Sequence, residues 1–205
     1  MEAPLLNIHR LKFPAIFCTL IALPLLFMAL GCAPGKGVSE DFLNTPEHHI
    51  ASGYKLLKKD YLFHAEREFN LALQLDADAW NAQRGLGLTY ARKGQFDLAL
   101  SHMKKAEQQA KTDETRALVN VGFMRIYLLE GNDGWADKVT RHYAEAISND
   151  PSLPEAHFYM GMAYKRLDRL PEARAQFNKV LAIDKGLISE SQDQLRDLDL
   201  PEKRP

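Results

Sequence analysis

Small and large apolar residues return along this chain at a fixed step. From Gly53, Ala65, Phe69 and Ala72, a step of 34 reaches Gly87, Ala99, Met103 and Ala106. A step of 74 from Gly87, Tyr90, Ala99, Met103 and Ala106 reaches Gly161, Tyr164, Ala173, Phe177 and Val180, and 74 is one step of 34 and one of 40. A unit six places longer than its neighbours therefore lies between. Val139, Tyr143 and Ala146, one step of 34 before Ala173, Phe177 and Val180, mark its second half. Its first half is less regular, with Val121 where glycine is expected and Gly122 one place late. A fixed period of this length is the signature of stacked supersecondary units, none of which can bury its apolar face alone.

Each unit divides into two antiparallel helices, predicted at 47–59 with 62–75, 80–93 with 96–110, 114–130 with 135–148, and 154–167 with 171–184. Gly53, Gly87 and Gly161 on the first helix, set against Ala65, Ala99 and Ala173 on the second, suit close approach of the pair, although glycine inside a helix costs about 1 kcal/mol against alanine. Phe69, Met103, Tyr143 and Phe177 are expected to fill the space between successive units. Thr45-Pro46-Glu47 and Leu153-Pro154-Glu155 place proline at the first helical position and an acid in the first turn. The extra length of the third unit is expected as a loop near 129–136, which is rich in Gly, Asn and Asp and contains Trp135. Trp135 reads first as a residue tucked against a neighbouring helix and second as an exposed anchor for a partner. Beyond the last unit, Ile188, Leu195 and Leu198 fall on one side of a short helix whose other side carries Glu190, Gln192, Asp193 and Arg196, as a terminal cap requires. Pro201 ends it, and 202–205 reads as a frayed tail.

Gly161, Tyr164, Ala173 and Phe177, in that order and spacing, resemble the tetratricopeptide repeat, a family in which a small residue and an aromatic on the first helix precede alanine and an aromatic on the second. Val180, Lys185 and His157 stand where that family favours Ala, Pro and Trp. The resemblance covers residues 46–187. It implies an all-α fold, a right-handed α-solenoid of about four helix-turn-helix repeats (46–79, 80–113, 114–153 and 154–187), with residues 188–205 as capping helix and tail. Such arrays are scaffolds in many unrelated processes, so the fold alone does not name a partner.

The start of the chain has a different character. His9, Arg10 and Lys12 precede an uncharged run from Phe13 to Cys32. Met28-Ala29-Leu30-Gly31-Cys32 resembles a bacterial lipoprotein signal, which implies a signal peptide at 1–31, cleavage after Gly31 and lipidation of Cys32. Ala33, rather than Asp, after the cysteine resembles the rule for transfer to the outer membrane, facing the periplasm. The competing reading is an uncleaved helix in the inner membrane, since an uncharged run of about 20 residues suffices to cross a bilayer. Either way the basic flank stays inside and the repeats lie outside the cytoplasm. Residues 32–45 read as a flexible tether, whose roughly 12 residues would span about 20 Å on average.

Charge and chemistry narrow the function further. Cleavage after Gly31 takes Arg10, Lys12 and Glu2 out of the count and leaves a net charge of −2, so no global field argues for nucleic acid or anionic lipid. The two cysteines are Cys18, inside the signal, and Cys32, so a lipidated mature chain would hold neither a disulfide nor a free thiol. His48 and His49 are adjacent and cannot share a helix face, while His64, His102, His142 and His157 lack the i, i+4 company of a zinc site. Gly85-Leu86-Gly87 has no third glycine and no preceding strand. Asn132-Asp133-Gly134 lacks the spacing and closing Glu of a calcium loop. No cofactor and no catalytic residue is assigned.

By the family resemblance, the first helices line a concave groove with Ile50, Tyr54, Arg84, Leu88, Arg92, Leu118, Arg125, Phe158, Met162 and Lys165. Arg84, Arg92, Arg125 and Lys165 suit the carboxylates of an acidic or C-terminal peptide, and the apolar residues suit its side chains. The blander alternative makes the apolar residues core and the cations a solvated face. The expected function is a non-catalytic, membrane-tethered scaffold of the bacterial cell envelope that holds a partner protein or peptide. Alternatives are a lipoprotein of the kind that assists secretin assembly for type IV pili, and an envelope enzyme of no recognised pattern. Self-association through exposed end helices is a further alternative.

Overall fold

The Thr45 hydroxyl accepts a hydrogen bond from the His48 backbone N–H at 3.2 Å, and Pro46 follows where its missing N–H is no loss. The first helix therefore begins where that punctuation stands. The computed structural model describes residues 44–200, all within the unit Val38–Pro205. The signal, Cys32, most of the tether and the tail at 201–205 lie outside the described residues. Among the described residues are α1 Pro46–Lys58, α2 Leu62–Leu75, α3 Trp80–Arg92, α4 Phe96–Gln109, α5 Asp113–Glu130, α6 Trp135–Asn149, α7 Pro154–Arg166, α8 Leu170–Ile183 and α9 Ile188–Asp199, with no strand. No helix among them is long and apolar enough to cross a membrane.

The helices pack as the pairs α1/α2, α3/α4, α5/α6 and α7/α8, and each second helix also packs on the first helix of the next pair. First helices touch one another in the succession α1, α3, α5, α7, and α9 closes the array against α8. The first helices thus form one row and the second helices stand outside it. The turns inside the pairs share a device. Asp60, Gly94 and Asp168, at the same place in their units, hold φ of 63°, 74° and 57°, the left-handed conformation that ends a helix and that Gly and Asp adopt at least cost.

The glycines clear side chains more than they admit backbones. A methyl group on Gly53 would lie 2.6 Å from the Phe69 ring, and one on Gly161 would lie 2.7 Å from Phe177, whereas the expected contact with the second-helix backbone holds at Gly87, 3.0 Å from the Ala99 carbonyl. Phe69 and Phe177 are fully buried as a result.

The third unit departs from expectation in its phase. Its first helix has 18 residues against 13 in α1, α3 and α7, and the connection to α6 is only 131–134. The connection is the one that the expected spans 114–130 and 135–148 leave; within the loop expected near 129–136, residues 129–130 and 135–136 are helix. Three recurrent contacts show the true register of the first helices, a step of 37 from α3 to α5. Gln83 bonds His102 and Asn120 bonds His142, at 2.8 and 2.7 Å. Gly85 clears Phe69 and Gly122 clears Met103, each from the preceding unit. Tyr90, Tyr127 and Tyr164, 37 apart, each lie under a cation, although Lys93, Lys138 and Arg169 come from different places in their units. Three added residues make nearly one helical turn, so the buried face is kept. The added turn is 113–116, started by a capping box in which Thr112 and Thr115 bond each other's backbone N–H.

This shift explains the irregular glycine. Met124, not Val121, stands where Gly87 and Gly161 stand, and it is fully buried. A side chain in that space excludes an inward ring from α6. Tyr143 is accordingly half-buried, with its hydroxyl 3.1 Å from His157 Nδ1 and 3.2 Å from Gln176 Oε1, rather than filling the interior as Phe69 and Phe177 do. Two apolar clusters meet on α5. Val119, Phe123 and Ile126 join the first two units, while Ala117, Val121 and Met124 join α6 and α7.

Candidate functional site

The row of first helices carries most of the polar groups that lack a helical reason to be there. Tyr54 on α1 sits edge-on to Phe69, with ring centroids 5.0 Å apart. Its hydroxyl donates to Asn81, whose Oδ1 lies at 2.6 Å, and accepts from Arg84 Nη1 at 3.1 Å. Arg84 Nε in turn donates to the Leu118 carbonyl at 2.9 Å, so one guanidinium ties three successive first helices together. Neither bond neutralises its charge.

Arg125 follows along the row. The phase shift places it where Leu88 and Met162 stand in their units, one helical turn from the place expected of it. Its guanidinium lies over the Tyr159 ring, 5.1 Å from the centroid. Burial, with the like charges of Arg84 and Arg92 beside it, holds this group below the ordinary arginine range, while the Tyr159 and Tyr54 phenols act in the opposite sense. Among the described residues neither Arg84 nor Arg125 forms an ion pair. A half-buried cation without a counter-charge costs free energy that a ligand carboxylate would offset.

The remaining groove residues divide. Leu88 is 1% exposed and belongs to the core. Ile50 is half-buried and packs on the first cluster, and Leu118 packs on the second. Phe158 is half-buried against Phe177 at 5.7 Å, and Met162 is half-buried. Arg92 pairs with Asp60 at 2.8 Å. Lys165 is committed to the cap, donating to Gln194 Oε1 at 2.8 Å and pairing with Asp197. The structure therefore gathers Tyr54, Arg84 and Arg125 with Tyr159, and assigns Lys165 to holding α9.

Sequence reasoning missed Tyr159, hidden beside the more conspicuous Phe158. It also missed a polar pair inside each unit: His49 with Glu68 at 2.7 Å, Gln83 with His102, Asn120 with His142, and His157 with Gln176 at 2.9 Å. Three of the four join positions 19 apart at the same place in their units, which was a signal in the sequence. These histidines are thus structural partners. No group of three or more His, Cys, Asp or Glu that could hold a metal ion occurs among the described residues. Trp135 is half-buried under Arg166, whose guanidinium lies 4.6 Å from the ring centroid and also donates to the Leu128 carbonyl. On the outer side, a cavity of about 500 Å³ opens between α4 and α6 over the added turn of α5, with Glu107, Arg116, Asn120 and Glu145 in its walls.

Residues 154–187 match the family described as tetratricopeptide repeat. No curated protein matches the chain. Among solved structures, one described as a MamA RS-1 ArsTM double mutant is 22% identical, covering 68% of this chain and 75% of that one with a TM-score of 0.47. Another, described as YrrB, a TPR protein with an unusual peptide-binding site, is 16% identical and covers 72% of this chain and 91% of that one, with a TM-score of 0.33.

Proposed function

We propose, from the premise that this is a tetratricopeptide-repeat protein, matched as such at residues 154–187 and repeating that helix pair four times, that it is a non-catalytic scaffold whose first-helix row binds a carboxylate-bearing segment of a partner protein. The observation that carries the reading is the pair of guanidiniums, Arg84 and Arg125, on one face with no acid of the described residues paired to either. A carboxylate between them gains charge-assisted hydrogen bonds in a partly dried site, and Tyr159 and Tyr54 supply aromatic surface beside it. The hydrophobic start of the chain, with Gly31-Cys32 and the short tether, supports placing this scaffold on a bacterial envelope membrane, anchored at Cys32.

The test is crosslinked capture from membranes by the full chain and by an Arg125→Gln variant. Arg125 joins no ion pair among the described residues and meets Tyr159 only by stacking, so the variant should melt like the native chain. Loss of a captured partner by roughly thirtyfold or more in affinity is the expected result, the consequence of leaving a bound carboxylate unpaired. Undiminished capture would remove the first-helix row as the binding face. Cys32→Ala should release the chain from the membrane fraction in a high-salt wash, and retention through that wash would favour the uncleaved helix.

A further inference from the structure

The turn between α1 and α2 differs from its counterparts. It presents Tyr61, 56% exposed, and Phe63, 72% exposed. Gln95 and Asp97 occupy these places in the second unit, Trp135 and Asp137 in the third, and Arg169 and Pro171 in the fourth; Trp135 is half-buried under Arg166, so no other unit exposes an aromatic here. Nothing in the packing requires one here.

Cations flank the two aromatics along the chain. Lys55, Lys58 and Lys59 at the end of α1 are exposed, as is Arg67, one turn beyond Phe63 on α2. None of the four forms an ion pair among the described residues. The nearby acids are already occupied, Asp60 by Arg92 at 2.8 Å, Glu66 by Lys93 together with the Tyr90 hydroxyl, and Glu68 by His49 at 2.7 Å. The corner is therefore strongly positive, although the mature chain as a whole is slightly acidic.

We infer that this corner, Tyr61 and Phe63 within Lys55, Lys58, Lys59 and Arg67, docks on the surface of an anionic lipid bilayer. Exposed aromatics settle at the level of the headgroups, and lysine and arginine beside them meet lipid phosphates. The inference rests on the envelope placement proposed above but not on the first-helix binding face. Chain length allows it: α1, with 13 residues, is about 20 Å long, and a tether of roughly 12 residues reaches about twice that when extended. Docking at this corner would hold the array in one orientation instead of leaving it free to tumble on the tether.

The experiment uses the full chain carrying Phe63→Trp, bound to phosphatidylglycerol-containing vesicles with brominated acyl chains, and the native chain as the baseline for Trp80 and Trp135. Quenching of the added indole is expected. It should fall with rising salt, and the apparent affinity of a Cys32→Ala form should drop roughly thirtyfold when Lys58→Gln and Lys59→Gln are added. An unquenched indole on a chain that still floats with the vesicles would overturn the docking and leave the anchor standing. Salt-sensitive quenching should survive Cys32→Ala at weaker apparent affinity, because the corner binds without the anchor. Failure to associate with anionic vesicles at all would sink both. A response to poly-glutamate but not to vesicles would reassign the corner to an acidic protein.

Discussion

Gly85 and Gly122 occupy matching places on successive first helices, yet a methyl group would meet different obstacles there. At Gly85 it would press into the Phe69 ring, which is fully buried and has nowhere to turn. At Gly122 it would lie 2.6 Å from Met103 Cε and Sδ, the far end of a side chain that is equally buried but flexible. Gly85→Ala should cost about 1–3 kcal/mol in urea unfolding. Gly122→Ala should be near neutral, because about 1 kcal/mol of helix propensity offsets the shift of Met103. Equal losses would mean that Met103 is held as rigidly as Phe69. His142 offers a second test at this scale. It is 6% exposed, stacked on Phe123 at 4.6 Å, and burial, with Arg141 adding to it, pushes its pKa down to about 4; Glu145 Oε2 lies 3.6 Å away. The unfolded chain takes up this proton near pH 6.5 and the folded chain only near 4, so stability is full above pH 6.5 and declines as pH falls toward 4, by up to about 3 kcal/mol. Thermal melts of the native chain and His142→Gln between pH 7 and 4.5 should converge on acidification. Parallel curves would show that His142 is not the group responsible.

At the scale of the element, α5 decides how the two halves join, because one helix supplies residues to both apolar clusters. Its end is fastened from the fourth unit. Arg166 donates to the Leu128 carbonyl, one of the last four of the helix, and covers Trp135 at the start of α6. Arg166→Ala should cost about 1 kcal/mol and shift Trp135 emission to the red, read against Trp80 as a fixed background. Arg166→Lys should fail to restore the emission, since an ammonium does not stack as a guanidinium does. An unchanged spectrum would mean that Trp135 is sheltered by the helices alone. The helix ends themselves were legible in the sequence to within one residue, because proline, the capping threonines and the left-handed Asp and Gly mark them locally. The phase of α5 was not: its span was expected at 114–130, but three extra residues within a helix leave its period intact and show only as a mismatch between distant units.

For the molecule as a whole, an open array has two ends, and the far end is covered by α9. Lys165 to Asp197, Lys165 to Gln194 and Arg174 to Asp199 fasten that cover. Removing residues 188–205 should lower the melting temperature by several degrees and expose the apolar side of α8. Gel filtration with light scattering should then show self-association in the shortened chain. A monomer of unchanged stability would show that α9 covers nothing the array needs. The proposed lipid-facing corner lies in the first unit, whereas Arg84, Arg125 and Tyr159 of the proposed binding face lie on α3, α5 and α7, so a bilayer and a partner need not compete.

What the sequence determined by itself was the repeat, its four copies, the helix boundaries and the cap. Each follows from local chemistry or from a period that burial imposes on every unit alike. Of the proposed binding face, Tyr54, Arg84 and Arg125 could be named from the sequence and Tyr159 could not, while Leu88 lies in the core and Lys165 is tied to α9. Tertiary structure alone decided which unit stood in which phase, because register between helices is set by side chains meeting across the interface, Gly122 against Met103 and Asn120 against His142, and at α5 these meetings depart from the spacing of the other units. It also decided which cations were neutralised. Asp60 reaches Arg92 and Asp197 reaches Lys165 from distant parts of the chain, while Arg84 and Arg125 are left facing one another's charge.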